Sequence, residues 1–582
     1  MIGQVAGQRG GLRSSLRRLV TRRWAALVLV LSVAALARGA HVAFVLPDLL
    51  ADRPMGDALS YDEWGARIAG GDWLGSEVFY QDPGYPYFLG TLYSIFGRSH
   101  TAVLVVQALL GVLTVLLVAL VAGRLFGGGT AFVAGLLAAL ADEALFYEGQ
   151  LQKEVLVGLS MALFLNGLLS ALSATGAWKA VSRAAVAGAL LGLVCLNRGN
   201  AFFFVPVVPL FFLQRGRGPG LPAARIAAFV IGAGLALAPC LLRNRVVAGE
   251  WVLTTAQSGP NFYIGNNPRA TGLYVPLVPY REMPVFEGAD ARALAERDEG
   301  RSLSAKEVDR YWWARGFDFV RENPLRFIEL FARKMGLFLV AEAADTIDIA
   351  TYRDLSPVLR LSPVRFALLA PLFLAAVPWL LWRRRRSRAL IALYGACLVS
   401  VGLFYFFSRY RYVVYPILLV SVAALVSRII EVVRERRWRT LVPALGGILV
   451  ASLLVHAPFL HAEDSRGTGH LNRGIRMSWR GDHEGAVRAY QRALELNPAL
   501  AQARIYLGGS LQKLDRHPEA ILQFQAARGA PEFGPEAWYA LAFSLVAAER
   551  REEALRELDA LLARHPDHVG ARALRRELED ED

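Results

Sequence analysis

MGDALSYDEWGARIAGGDWLGSEVFYQDPGYPY, residues 55–87, decides how this chain is read. It follows a first apolar run, Trp24–Leu46, but is too polar to cross a bilayer itself. The acids Asp57, Asp62, Glu63, Asp72, Glu77 and Asp82 stand in it among aromatics, glycines and two prolines. The plainest reading is a connector whose Trp64, Trp73, Tyr85 and Tyr87 sit among lipid headgroups. The other reading is a functional loop at a membrane surface. If the segment is helical, Asp57 and Tyr61, four apart, share a face, and Asp62 and Glu63 point elsewhere.

Composition sets the surroundings. Hydrophobic residues make up 54% of the 582, yet the net charge is +14. Mean hydropathy is positive, as expected of a polytopic membrane protein. The basic surplus lies in runs beside apolar segments, as at Arg383–Arg386, which orient spans and touch headgroups. No nucleic-acid partner is expected. Cys195, Cys240 and Cys397 all lie in apolar segments, against a disulfide framework or a zinc cluster. No Walker or dinucleotide glycine motif is present, which disfavours ATP and nucleotide sugars.

A span needs about 20 mainly apolar residues. Beyond 24–46, such runs fall near 100–123, 129–147, 154–173, 182–197, 200–214, 223–242, 363–382, 388–407, 411–430 and 440–458, giving about eleven. The arginines of residues 1–23, with no acid among them, place a basic N-terminus in the cytoplasm. Ala35-Leu36-Ala37 offers a rival reading as a signal-peptide cleavage site, but a retained first span is preferred. Alternating crossings then put the strongly basic connectors inside. The outer loops are 47–99 and 244–362, with the turns Asp142–Glu154 and Asn197–Asn200. Within 324–341, Arg326, Glu329, Arg333 and Lys334 recur on a helical period, so this stretch reads as an amphipathic helix on the outer surface, not a span.

After His461 the chain turns polar and repetitive. Gly474, Ala486, Tyr490, Ala493 and Pro498 recur about 34 residues on as Gly508, Ala520, Phe524 and Ala527, and again from Ala542 to Pro566. This resembles three tetratricopeptide (TPR) repeats over 467–570, followed by a charged tail, 571–582. The topology places them in the periplasm, as a site for a protein partner or an acceptor.

The loops together carry a second resemblance. Asp57 with Tyr61 and Trp64, Asp82-Pro83-Gly84-Tyr85-Pro86, Tyr147-Glu148-Gly149, Arg198 with Asn200, Arg409-Tyr410-Arg411 with Pro416, and residues 254–274 look like the polyprenyl-phosphate-sugar-dependent glycosyltransferases of the GT-C class. The similarity is greatest to the bacterial protein-mannosyltransferase-like and aminoarabinose-transferase-like branch, and it covers roughly residues 24–430 of a membrane domain that runs over 24–458. It implies an all-α fold, a polytopic helical membrane domain with the repeats as a C-terminal α-solenoid, in the bacterial inner membrane. It also implies inverting transfer of a sugar from a polyprenyl-phosphate carrier to an acceptor hydroxyl or amine of a protein, lipid or glycan.

In such enzymes an acid of the first outer loop is the catalytic base, and Asp57 matches it. Tyr61, Asp82, Tyr85, Glu148, Arg198, Arg409 and Arg411 are the expected substrate-binding residues, with arginine suited to the carrier phosphate. Against these stand plainer roles: Asp57 as a helix cap, Arg409, Arg411 and Arg198 as interfacial anchors, and Lys153 as a snorkelling span-end lysine. No obligatory cofactor is expected, although Asp57 and Glu148 would be the pair to hold a divalent cation. An O-antigen ligase or polymerase, relying on outer arginines, is one rival function. A transporter with a partner-binding repeat domain is another, and it would carry its charges near the bilayer midplane.

Overall fold

The computed structural model describes residues 24–46, 54–213, 221–278, 284–341, 349–383, 385–457, 467–530 and 533–580. The basic N-terminus 1–23, Arg215, Arg217 and His461 lie outside these described residues. The chain divides into two units, Met1–Ala343 with Ser356–Ala462, and Ala344–Leu355 with Glu463–Asp582. Among the described residues regular structure is helical, apart from isolated bridges joining Ala141 to Val364 and Leu273 to Phe406.

The first unit begins with α1 (Trp24–Leu46). There follow α2 (Asp57–Ala69), α3 (Gly84–Phe96), α4 (His100–Phe126), α5 (Gly128–Leu140), α6 (Asp142–Glu148), α7 (Glu154–Leu172) and α8 (Ala177–Asn197). After a 3₁₀ turn come α9 (Phe204–Leu210) and α10 (Leu221–Ala248), then α11 (Ser258–Gly265), α12 (Pro284–Glu299), α13 (Ala305–Glu322) and α14 (Pro324–Leu339). Among the described residues nine helices are long and apolar enough to cross a membrane, and the shorter apolar helices Gly128–Leu140 and Gly199–Leu210 occupy the two remaining expected positions. The stretch expected to span 129–147 divides in two. Ala141 is extended and bridges Val364, and α6 starts at the buried Asp142.

The segment 324–341 is an amphipathic helix, α14, and is not among the nine. Its Arg326, Glu329 and Arg333 are exposed as expected, but Lys334 is fully buried. Its Nζ donates to Gly265 O (3.1 Å), Asn266 Oδ1 (3.1 Å) and Phe404 O (2.7 Å). Lys334 thereby pins α14 to the loop that leads into Arg409. Burial pushes its ammonium down to about 7. Between that value and the ordinary lysine value, the unfolded chain binds more protons than the folded one, so this group makes stability rise with pH there. Lys334→Met strands three acceptors, each costing about 1–3 kcal/mol. It is expected to lower the unfolding temperature, with a deficit that widens from pH 7 towards pH 10 in thermal melts.

The first unit also holds α16 (Pro357–Leu361), α17 (Phe366–Arg383), α18 (Arg385–Leu403), α19 (Tyr415–Arg434) and α20 (Leu441–Val455), while in the second unit a short helix, α15 (Ile349–Leu355), packs on α21 (Thr468–Trp479). Asp354 Oδ2 lies 3.2 Å from His470 Nε2 there. Paired helices follow: α22 (His483–Leu496), α23 (Ala501–Lys513), α24 (His517–Ala527), α25 (Pro535–Ala547), α26 (Arg551–Arg564) and a closing α27 (Val569–Asp580). The 34-residue period appears in the backbone. Asp482, Arg516 and Arg550 donate their N–H groups to Met477, Leu511 and Leu545. The residue before each donor, Gly481, Asp515 or Glu549, has positive φ. This is one helix-ending motif made three times. Packing repeats likewise, with the Tyr490 ring over Gly474 and the Phe524 ring over Gly508. The residues expected to be a charged tail lie largely in α27, which buries Ala571, Leu574 and Leu578.

Candidate active site

The opening loop folds as the helical spacing requires. Gly56, at φ 59°, adopts a conformation that favours glycine and starts α2 at Asp57 without a side-chain cap. Asp57 is therefore not spent as an N-cap. Its Oδ2 lies 2.8 Å from Arg409 Nη1, and its Oδ1 accepts from Gln81 Nε2 at 3.0 Å. Tyr61, one turn on, is buried and meets Tyr85 edge-on at 5.4 Å. The Tyr85 hydroxyl donates to Gln107 Oε1 (2.6 Å), whose amide holds the carbonyls of Glu148 and Gln150.

Asp62 points elsewhere, as the helical reading requires. It accepts from Tyr93 (2.6 Å) and Arg98 (2.5 Å), with His100 at 2.9 Å, fastening α2 to α3 and α4. Burial opposes the Asp62 charge, but hydrogen bonds from His100, Arg98 and Tyr93 prevail and hold its carboxyl well below the usual range. A carboxylate lowered in this way stabilises the fold above its unfolded value of about 3.9, and the contribution is lost as pH falls through the folded value. Asp62→Asn is expected to cost about 2–3 kcal/mol at pH 7. In paired thermal melts the gap from wild type should begin to narrow below about pH 4 and go on narrowing as the pH falls further.

Two further acid–base pairs surround Tyr61. Asp82, just before α3, pairs with Lys153, and Glu154, at the start of α7, pairs with Arg198, at the end of α8. Gly84 admits this crowding, because a Cβ there would strike the Asn197 side chain. Arg198 also lies 5.2 Å from the Tyr410 ring centroid. Burial first, then the charges of Asp57, Glu154 and Asp82, push the Tyr61 hydroxyl well up, so it stays a donor at the centre of the cluster. Three acids and three bases leave the cluster neutral. Arg198 Nε and Glu154 Oε2 are nevertheless buried with no hydrogen-bond partner among the described residues.

Asp57, Tyr61, Asp82, Tyr85, Arg198 and Arg409 thus come together. Glu148 and Arg411 are placed differently. Glu148 faces α1, where Arg38 Nε lies 2.6 Å from its Oε2. The cation pairing proposed for Asp57 and Glu148 therefore meets two carboxylates that each already hold an arginine. Arg411 donates to the carbonyls of Leu337 and Val340, both at 2.8 Å, and its guanidinium covers the Phe366 ring at 3.9 Å. The 3₁₀ geometry of Ser408–Val414 explains the division: at three residues per turn, side chains two apart point about 120° apart. Arg409 turns to Asp57 and Arg411 holds α14.

Sequence reasoning passed over Glu287. In the first turn of α12, its Oε1 accepts from Tyr80 (2.8 Å) and its Oε2 from Tyr274 (3.0 Å). Burial pushes the Glu287 carboxyl up; the tyrosine hydrogen bonds and Arg409 act against this, and the charge of Asp57 adds to it. Only the two tyrosines, one 13 and the other 207 residues away, mark it. Among the described residues no three His, Cys, Asp or Glu side chains gather as metal ligands would.

Residues 81–242 match the family described as dolichyl-phosphate-mannose-protein mannosyltransferase. The match includes Asp82, Lys153, Glu154 and Arg198 and stops short of Asp57 and Arg409. No curated protein is significantly similar to the chain. Among solved structures, the Archaeoglobus fulgidus oligosaccharyltransferase in its apo form aligns at TM-score 0.42 and 17% identity, over 75% of this chain and 55% of that one. The present chain thus spans little more than half of that protein. ArnT from Cupriavidus metallidurans, bound to undecaprenyl phosphate, aligns at TM-score 0.33 and 16% identity, over 68% of this chain and 77% of its own.

Proposed function

We propose that this chain is a membrane glycosyltransferase of the GT-C type. It moves a hexosyl or pentosyl group, with inversion, from a polyprenyl-phosphate carrier to an acceptor hydroxyl or amine at the outer face of the inner membrane. The observation that carries the reading is the Asp57–Arg409 pair standing beside Asp82–Lys153 and Glu154–Arg198 at the ends of apolar helices. The match of residues 81–242 to a mannosyltransferase family supports it independently.

Each Asp57 oxygen has one bond in Arg409 or Gln81 and keeps a lone pair for an acceptor proton. The acceptor oxygen forms a bond to the anomeric carbon as the bond from that carbon to the phosphate oxygen breaks. The proton passes to Asp57. The carrier phosphate leaves as a stable anion and gains charge, which Arg198 and Lys153, turning to it from Glu154 and Asp82, would meet without a proton donor. Because these cations supply the charge, transfer should survive chelation of divalent ions. The helical repeats, read as TPRs, would hold a partner or present an acceptor in the periplasm.

The test is release of radiolabelled sugar from a polyprenyl phosphate by the purified chain, in the presence of candidate acceptors. Transfer of the label supports the reading. Failure to discharge any polyprenyl-phosphate sugar, to acceptor or to water, overturns it.

A further inference from the structure

We infer that Glu287 lines the acceptor side of this site and hydrogen-bonds a hydroxyl of a carbohydrate acceptor beside Asp57. The inference rests on the transfer reading above and gives it an acceptor class. Three observations lead to it.

The first is placement. Tyr274, bonded to Glu287, packs against the Phe407 ring, over which the Arg409 guanidinium lies at 4.5 Å, and Arg409 in turn meets Asp57 at 2.8 Å. The Tyr410 ring packs on the same Phe407 and lies 5.2 Å from the Arg198 guanidinium. The order is therefore Glu287, then Asp57 with Arg409, then the span-end cations. Inversion requires the attacking oxygen to approach the anomeric carbon from the side opposite the phosphate. If the phosphate lies against Arg198 and Lys153, the acceptor enters past Glu287.

The second is hydrogen-bonding capacity. Tyr80 and Tyr274 each use one lone pair of the Glu287 carboxyl. Each carboxyl oxygen keeps another, and the Tyr80 phenolic oxygen can still accept. The tyrosines also fix the rotamer of Glu287, so little side-chain entropy remains to be lost on binding.

The third is the wall behind it. Tyr274 packs 5.4 Å from Tyr405 and 5.6 Å from Phe407, and Tyr410 lies 5.9 and 5.7 Å from the same two rings. Tyr405 and Phe407 are buried, and the partly buried Tyr274 and Tyr410 packed against them form an aromatic edge with hydroxyls, which suits the C–H faces and hydroxyl edges of a sugar.

The experiment uses the full-length chain with undecaprenyl phosphate bearing radiolabelled mannose, glucose or arabinose, and with water, methyl α-mannoside or a threonine-containing peptide as acceptor. Glu287→Ala should raise the KM for the methyl glycoside about tenfold. Discharge to water and affinity for bare undecaprenyl phosphate should stay within about twofold, because neither requires the acceptor contact. Glu287→Gln, which keeps an oxygen for one tyrosine and so protects the fold, should shift KM the same way by about threefold. An unchanged KM, or a parallel fall in acceptor use, discharge to water and carrier affinity, would make Glu287 a structural latch and overturn the inference. Transfer to the peptide and not to the glycoside overturns the acceptor class. Wild-type protein that discharges none of the donors instead removes the transfer reading itself.

Discussion

Asp57→Asn is expected to lower sugar transfer about 10²–10⁴-fold, the usual worth of a positioned general base, with the carrier still bound. The substitution is nearly isosteric. Its carbonyl oxygen can keep one of the two bonds to Arg409 and Gln81, so α2 should stay in place. Lost is the ability to take the acceptor proton. Tyr61 cannot replace it, since burial and neighbouring carboxylates hold its hydroxyl protonated. The measurement is single-turnover transfer from a radiolabelled polyprenyl-phosphate sugar, beside an equilibrium titration with bare undecaprenyl phosphate. Reduced transfer with unchanged carrier affinity identifies the base. Undiminished transfer would remove Asp57 from the mechanism.

Arg198→Met should act twice, and the two effects can be separated. Removing one partner of a buried pair leaves Glu154 uncompensated, at a cost of about 3–5 kcal/mol. Removing a guanidinium from the phosphate side should also weaken carrier binding, by tenfold for each 1.4 kcal/mol lost. The double variant Arg198→Met with Glu154→Leu replaces the pair by apolar side chains, which is often neutral or stabilising. Its melting temperature should return close to wild type while affinity for undecaprenyl phosphate stays low. Recovery of both together would show that Arg198 serves only to neutralise Glu154. The orphaned Arg198 Nε is why the functional outcome is expected.

Much of the architecture was legible in the order of residues. Apolar length marked the helices able to cross a membrane, because burying a backbone in lipid demands an uninterrupted helix. The recurrence from Gly474 to Gly508 announced stacked helix pairs, because each ring must find a small partner at the same interval. The helical period set Asp57 and Tyr61 on one face and turned Asp62 away. These are short-range rules, and one helix is enough to express them.

The pairing of charges follows no such rule. Arg409 and Arg411 read as one motif, yet a 3₁₀ turn sends one to Asp57 and the other to the end of α14. Lys153 read as a snorkelling side chain and instead holds Asp82, and Glu148 serves Arg38 across the bundle. Lys334 seemed to belong to a polar face and is buried against three acceptors. Glu287 had no local signal at all. Apolar patterning along the chain determined that residues 55–87 lie beside a membrane bundle and that Asp57 and Tyr61 face the same way. Which base each acid meets was decided by tertiary structure alone, because those partners stand tens to hundreds of residues apart and only the packing of whole helices brings them within a few ångströms.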